Sequence, residues 1–139
     1  MNYRTLRAPA AEFIGTMLFV LVAAGSIVAN VSGPAGSLGI ALEALFTFIL
    51  VSAVFGTAVS PQAQRIGGFG VGLALLVCAL GGGALTGAVL NPARAFGPAL
   101  VSWDWHGQAV YWIGPVLGAA LAAVAWKFLL LPPSATDIT

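Results

Sequence analysis

Apolar residues run along most of this chain in long stretches, separated by short polar breaks. A helix that crosses a bilayer needs roughly 20 apolar residues, and four stretches reach that length: about 10–29, 38–59, 66–89 and 110–131. A fifth apolar piece, 92–101, is too short to cross. The pattern predicts a single domain over 1–139, an all-α membrane protein with four transmembrane helices and one re-entrant half-helix.

The composition agrees with this prediction, because 60% of the residues are hydrophobic and only 6% are charged. In soluble domains, about a quarter of all residues are charged. The net charge is +1 and no basic cluster is present, so nothing suggests binding to nucleic acid. Cys78 is the only cysteine, which excludes a disulfide framework and metal-site spacing. We expect no cofactor, and we expect Cys78 to pack within a membrane helix.

The basic residues outside the short piece predict the orientation of the chain. They flank the apolar stretches at four places: Arg4, Arg7, Arg65 and Lys127. With four crossings, all of them fall on one side, which the positive-inside rule makes cytoplasmic. Both termini are then expected in the cytoplasm. At the opposite face we expect an interfacial aromatic belt formed by Trp103, Trp105, Tyr111 and Trp112.

A polar tetrapeptide, Asn91-Pro92-Ala93-Arg94, lies just before the short apolar piece. Asn can cap a helix, and Pro is favoured at the first helical position. A helix that begins inside the hydrophobic slab exposes N–H groups and the positive end of its dipole, which lipid does not tolerate unless the site lines an aqueous path. The tetrapeptide therefore predicts a pore. Gly87 is expected to permit the backbone turn that precedes it.

Arg94 falls in the first turn of this half-helix, where the dipole disfavours a cation. It shares the helix face of Asn91, three residues earlier. One interpretation is a structural, salt-bridged arginine. The other is a donor that projects into water at a constriction, where it would offer hydrogen bonds to neutral solutes and repel cations.

Glu12 and Glu43 each lie near the start of a predicted crossing, where an ionisable group is costly and needs a partner. The residues that follow them are similar, and the two crossings run in opposite directions. This similarity is typical of an inverted repeat. The alternative is that Glu12 is interfacial and Glu43 snorkels to the membrane surface.

These motifs resemble the aquaporin (major intrinsic protein) family. The segment 86–100 is similar to its second signature loop, 11–16 to the opening of its first helix, and 110–115 to the start of its last helix. The resemblance implies that Glu12 and Glu43 accept backbone N–H bonds and hold the re-entrant loops. It also implies a pore and selectivity site formed by Asn91, Pro92, Ala93, Arg94, Ala88 and Ala79.

The chain departs from the family pattern in what it lacks: the family's second helix, first Asn-Pro-Ala loop and third helix. Ala79 also stands where strict water channels carry His, which would widen the constriction. Two hypotheses therefore stay open. One is a passive plasma-membrane channel for water or small neutral solutes, a homotetramer by resemblance. The other is a non-conducting relic, or a subunit that packs with full-length relatives.

We do not expect an enzyme, because no nucleophile or metal-ligand set joins Asp104 and His106.

Overall fold

The computed structural model describes residues 36–64, 66 and 68–131, and all regular structure in this part is helical. It therefore agrees with the predicted all-α fold. Several predictions concern residues outside the described part: the first apolar stretch at 10–29, Glu12, Arg4, Arg7 and Arg65.

Four helices follow one another along the described chain. They are α1 (Ser37–Val54), α2 (Phe69–Thr86), α3 (Pro92–Ser102) and α4 (Gln108–Ala125). α1 and α4 each continue into one π-helical turn, Phe55–Val59 and Trp126–Leu130. Within the described residues, three helices are long and apolar enough to cross a membrane: Ser37–Val59, Phe69–Thr86 and Gln108–Leu130.

The helix of the third apolar stretch is shorter than the predicted 66–89, because α2 ends at Thr86. Gly87 follows in the left-handed region with φ 83°, and its N–H donates to the carbonyl oxygen of Gly83 at 3.1 Å. Hydropathy gives no indication of this helix end, because residues 88–90 are as apolar as the helix before them. As the sequence predicted, Gly87 provides the turn.

α3 is an 11-residue helix, about 16 Å long at 1.5 Å per residue, against roughly 30 Å for the hydrocarbon core. Asn91 caps it and Pro92 is its first residue. Its bounds extend one residue beyond the predicted 92–101. A helix of this length cannot cross the membrane and is a half-helix.

α1 and α4 run parallel to one another in close contact. Near one end, Gly114 lies against Ile40 and Glu43, and Gly118 lies against Ala44. Near the other end, the ring of Phe55 stacks on that of Trp126 with centroids 5.8 Å apart. Small residues at such an interface let two membrane helices approach closely.

α2 runs antiparallel to α1. Gly82 lies against the ring of Phe46, and Gly70 lies against Thr57. Cys78 is buried, and its Sγ donates to the carbonyl oxygen of Phe46 at 3.6 Å. This placement agrees with the packing role expected for Cys78.

Large apolar side chains cover the outside of this bundle. Leu80 is 79% exposed, Leu129 is 80% exposed and Val101 is 89% exposed. Such surfaces are costly in water and compatible with lipid. The interior of the described bundle, by contrast, holds polar groups.

We expect the substitution Gly118→Ala to destabilise the α1–α4 pair. The added Cβ would overlap with the carbonyl oxygen of Ala44, a backbone atom that moves only if the two helices separate. The expected loss in the free energy of unfolding is about 1–3 kcal/mol, as for other overpacked interiors. Thermal unfolding in detergent, followed by circular dichroism, measures it. Gly81→Ala is the matched control, because a Cβ there has no neighbour within 4 Å; equal midpoints for the two variants would contradict the prediction.

Candidate functional site

The connection between α2 and α3 is a buried loop, Gly87 to Leu90. Ala88, Val89 and Leu90 are 2%, 0% and 4% exposed. Ala88 and Leu90 have positive φ values of 44° and 59°, in a region that non-glycine residues avoid. Each such residue costs on the order of 1–3 kcal/mol and persists only where its surroundings hold it. The contacts of this loop therefore determine whether it keeps its shape.

Glu43 of α1 supplies the strongest of these contacts. It is completely buried, and its two carboxyl oxygens accept the N–H of Val89 at 3.0 Å and the N–H of Leu90 at 2.6 Å. Thr47, one turn later on the same helix face, donates to the carbonyl oxygen of Leu90 at 3.5 Å. Glu43 thus does not snorkel to the surface; it binds the backbone of the loop.

Arg94 contacts the same loop from α3. Its Nη1 donates to the carbonyl oxygen of Val89 at 2.9 Å and to that of Ala88 at 3.4 Å. Val89 is therefore held at its N–H by Glu43 and at its carbonyl by Arg94. The guanidinium is fixed beside the loop, six residues from Ala88 along the chain.

The first turn of α3 carries the rest of the tetrapeptide. Asn91 is exposed, and its Oδ1 accepts the N–H of Ala93 at 2.8 Å. Oδ1 serves as the helix cap, and the two Nδ2 hydrogens are the donors that this side chain can offer to a solute. Ala93 is exposed as well, and Pro92 is partly buried.

The structure brings most of the predicted residues together, with one exception. The tetrapeptide, Ala88 and Glu43 form a continuous unit around the loop. Ala79 is exposed and lies in the middle of α2, about 10 Å along the helix axis from Thr86. Its place beside Arg94 stays a prediction, and Glu12 lies outside the described residues.

Three residues that hold the loop were not identified from the sequence: Thr47, Thr86 and Tyr111. Thr86 Oγ1 accepts the N–H of Ala88 at 3.2 Å, and Tyr111 Oη donates to the carbonyl oxygen of Thr86 at 2.9 Å. Thr47 could have been found from its spacing of four residues after Glu43. The contact of Tyr111 spans 25 residues of sequence and leaves no local signal.

Tyr111 differs from the other residues of the predicted aromatic belt. It is partly buried, whereas its neighbour Trp112 is 48% exposed. Trp103 and Trp105 are exposed as expected, and their ring centroids are 6.2 Å apart. An interfacial aromatic belt at this end of the bundle stays a prediction.

The loop between α3 and α4 holds Asp104 and His106, whose pairing is a simple turn contact. The N–H of His106 donates to Asp104 Oδ1 at 2.9 Å, and both residues are exposed. No group of three or more potential metal-ligating side chains occurs within 36–64, 66 and 68–131. The chemistry of the candidate site is that of hydrogen-bond donors and acceptors around the loop.

Three apolar helices and a capped half-helix after a buried loop define a multi-pass helical membrane protein. Comparison with known sequences specifies the family. The profile described as "Major intrinsic protein" matches residues 30–126. The chain belongs to the major intrinsic protein family, as the motifs predicted.

Similar curated proteins carry aquaporin names. Aquaporin TIP3-2 of Zea mays is 44% identical over 106 residues, which are 74% of this chain and 40% of the relative. Aquaporin TIP4-4 of Zea mays is 38% identical over 140 residues, which are 93% of this chain and 55% of the relative. The chain spans about half the length of the curated relatives it matches.

Proposed function

We propose that this chain forms part or all of a passive membrane pore for water or small neutral solutes, a transporter rather than an enzyme. The observation that carries the proposal is the buried non-helical backbone at 87–90, with the capped start of α3, among apolar helices. Glu43 and Thr47 lie about 9 and 15 Å from the start of α1, and α1 together with its π-helical turn extends about 34 Å, from Ser37 to Val59. The groups that they bind therefore lie deep within the apolar slab.

An exposed polar group at this depth, such as the side chain of Asn91, needs an aqueous path, because lipid offers it no hydrogen bonds. Asn91 can donate from Nδ2, and the guanidinium of Arg94 has five N–H donors and a permanent charge. Together they would exchange hydrogen bonds with a neutral solute and repel a cation. Ala88 and Ala79 would complete the constriction, and Pro92 and Ala93 would orient the Asn91 cap.

We also propose a plasma-membrane location with both termini in the cytoplasm. Because α1 and α4 are parallel, Lys127 lies at the same end of the bundle as the connection after Val59, and Arg65 belongs to that connection in sequence. The positive-inside rule assigns that end to the cytoplasm. A homotetramer is proposed from the family resemblance.

Osmotic shrinkage of proteoliposomes, followed by stopped-flow light scattering, tests the proposal. We expect vesicles with the wild-type chain to shrink faster than empty vesicles. Asn91→Asp keeps the capping oxygen and removes the Nδ2 donor, so water flux should fall about 2- to 10-fold, the effect of one lost hydrogen bond. Asp104→Asn, the reverse exchange in the exposed outer loop, should leave the flux unchanged.

The same experiment separates the proposal from its alternative, a non-conducting subunit. Wild-type rates equal to those of empty vesicles would overturn conduction by this chain alone. Co-purification with a full-length family member, together with no flux from this chain alone, would support the subunit role. Equal flux for wild type and Asn91→Asp would show that the Nδ2 group of Asn91 does not bind the solute in the pore.

A further inference from the structure

Two buried polar atoms lie on the α1–α4 pair, toward the end that carries Lys127. They are Oγ of Ser52, in the last turn of α1, and Nε1 of Trp126, in the π-helical turn after α4. Neither atom has a hydrogen-bond partner among the described residues. Buried polar groups of folded proteins nearly always have a partner, and an unpaired one costs free energy. Because lipid cannot supply hydrogen bonds, these two atoms need a partner of another kind.

The hydroxyl of Ser52 does not use the acceptor that its own helix offers. Serine and threonine in a helix can donate to the carbonyl oxygen four residues earlier. Thr57 Oγ1 does so to Ala53 at 2.7 Å, and Ser102 Oγ does so to Pro98 at 2.8 Å. Ser52 makes no such bond. Its hydrogen is therefore available to a group outside α1.

The indole ring of Trp126 lies over the face of α1 to which Ser52 belongs. Its atoms Cη2 and Cζ2 lie 3.2 and 3.4 Å from the position of a Cβ at Gly56, and its ring stacks on that of Phe55. Gly56 follows Ser52 by four residues, about 6 Å along the axis and on the same face. Nε1 is bonded to the same ring carbon as Cζ2, so the edge of the indole that carries the N–H faces this part of α1.

The chemistry of the two atoms specifies what can join them. An indole N–H only donates, whereas a hydroxyl both donates and accepts. A direct bond from the indole to Ser52 Oγ would leave the hydroxyl hydrogen buried without an acceptor. A water molecule can accept from both the N–H and the O–H, and buried waters typically make two to four hydrogen bonds to such groups.

We propose that Ser52 and Trp126 form a binding site for one buried water molecule, which joins α1 to α4. The site lies where both helices change from α to π, because Phe55 and Trp126 are the first residues of their π-helical turns. Such turns are frequent at functional sites. Ser52 is about 14 Å further along α1 than Glu43, so this water stabilises the pair far from the loop at 87–90. The inference does not depend on conduction.

The substitution Ser52→Ala has opposite expected results with and without this water. With the water, it removes one of the two partners, so the equilibrium constant for unfolding in detergent should rise about 2- to 10-fold, as for one lost hydrogen bond. Without the water, it removes an unpaired hydroxyl, so the constant should stay the same or fall. In the Trp126→Phe background, which lacks the indole N–H, the rise should be much smaller because the two residues act through one molecule.

Ser102→Ala is the matched control, because it makes the same exchange at a hydroxyl that is bonded within its own helix. Its effect should be equal in the wild-type and Trp126→Phe backgrounds. Nuclear magnetic resonance of the chain with isotope-labelled indole nitrogens detects the water directly. The Nε1 hydrogen of Trp126, assigned by its loss in Trp126→Phe, should show a cross-peak with water that Ser52→Ala removes and Ser102→Ala retains.

Each outcome decides the proposal. A destabilised Ser52→Ala variant whose effect depends on Trp126, together with a water cross-peak that depends on Ser52, would support the site. Unchanged or increased stability of Ser52→Ala would overturn it, as would an equal effect of this substitution in both backgrounds. Dependence of Ser52 on Trp126 without a water cross-peak would overturn the water in favour of a direct bond. None of these measurements uses flux, so they stand whether or not the chain conducts.

Discussion

Replacement of Glu43 with leucine should be the most damaging single change in the described part of this protein. It leaves the N–H groups of Val89 and Leu90 buried without an acceptor. An unsatisfied buried donor costs about 1–3 kcal/mol, so two donors cost about 2–6 kcal/mol. The loop also contains two residues with strained, positive φ values, Ala88 and Leu90, and no other side chain of α1 stabilises it as directly as Glu43. We expect the free energy of unfolding in detergent to fall by that amount and osmotic flux to be lost.

Two further variants make this prediction specific. Glu43→Gln keeps one acceptor oxygen and places an NH₂ group against the other N–H, so its loss of stability should be smaller than that of leucine. Leu45→Ala changes an exposed residue of the same helix, 51% accessible, and should alter stability far less. If Glu43→Leu unfolded at the same temperature as Leu45→Ala, the loop would not depend on the carboxyl group.

Replacement of Arg94 with alanine should abolish the exclusion of cations. The repulsion energy between the guanidinium charge and a cation about 5 Å away is about 3 kcal/mol at an effective dielectric constant of about 20. Removal of that barrier corresponds to about a hundredfold higher sodium permeability. The variant also loses the donors to the carbonyls of Ala88 and Val89, so the loop should become more mobile. Sodium flux into proteoliposomes loaded with a sodium-sensitive dye measures the first effect.

Arg94→Lys is the control for charge. It retains a cation at this position but lacks the planar fork of five donors. We expect sodium to stay excluded in this variant while the contacts with the loop weaken. Equal sodium flux in wild type, Arg94→Lys and Arg94→Ala would show that Arg94 does not face the conducting path.

Much of the helical architecture could be predicted because it depends on local properties. Three of the four predicted crossings correspond to the long helices of the described residues, and 10–29 lies outside them. The Asn91-Pro92 pair correctly predicted the capped start of α3. Gly87 was predicted as a turn because only glycine adopts its backbone conformation without strain. The end of α2 was predicted three residues too late, because apolarity continues through a loop that is not helical.

The partners of the loop depend on contacts far apart in the sequence. The spacing of Glu43 near the start of a crossing indicated a need for a partner, and the family resemblance implied which one. No periodicity joins Tyr111 to Thr86, however, and the aromatic character of Tyr111 suggested the membrane surface instead. The residue types around a position indicate which environment that position tolerates. Only the tertiary packing determines which atoms its side chain contacts.

The sequence by itself therefore determined a helical membrane protein, because long apolar stretches permit few other structures, and its motifs resemble those of the major intrinsic protein family. The tertiary structure decided how the loop after α2 is held. Glu43, Arg94 and Tyr111 come from three different helices, and they meet at 88–90 and Thr86 because α1 and α4 approach closely through Gly114 and Gly118. Strained backbone is stable only where such distant groups converge on it.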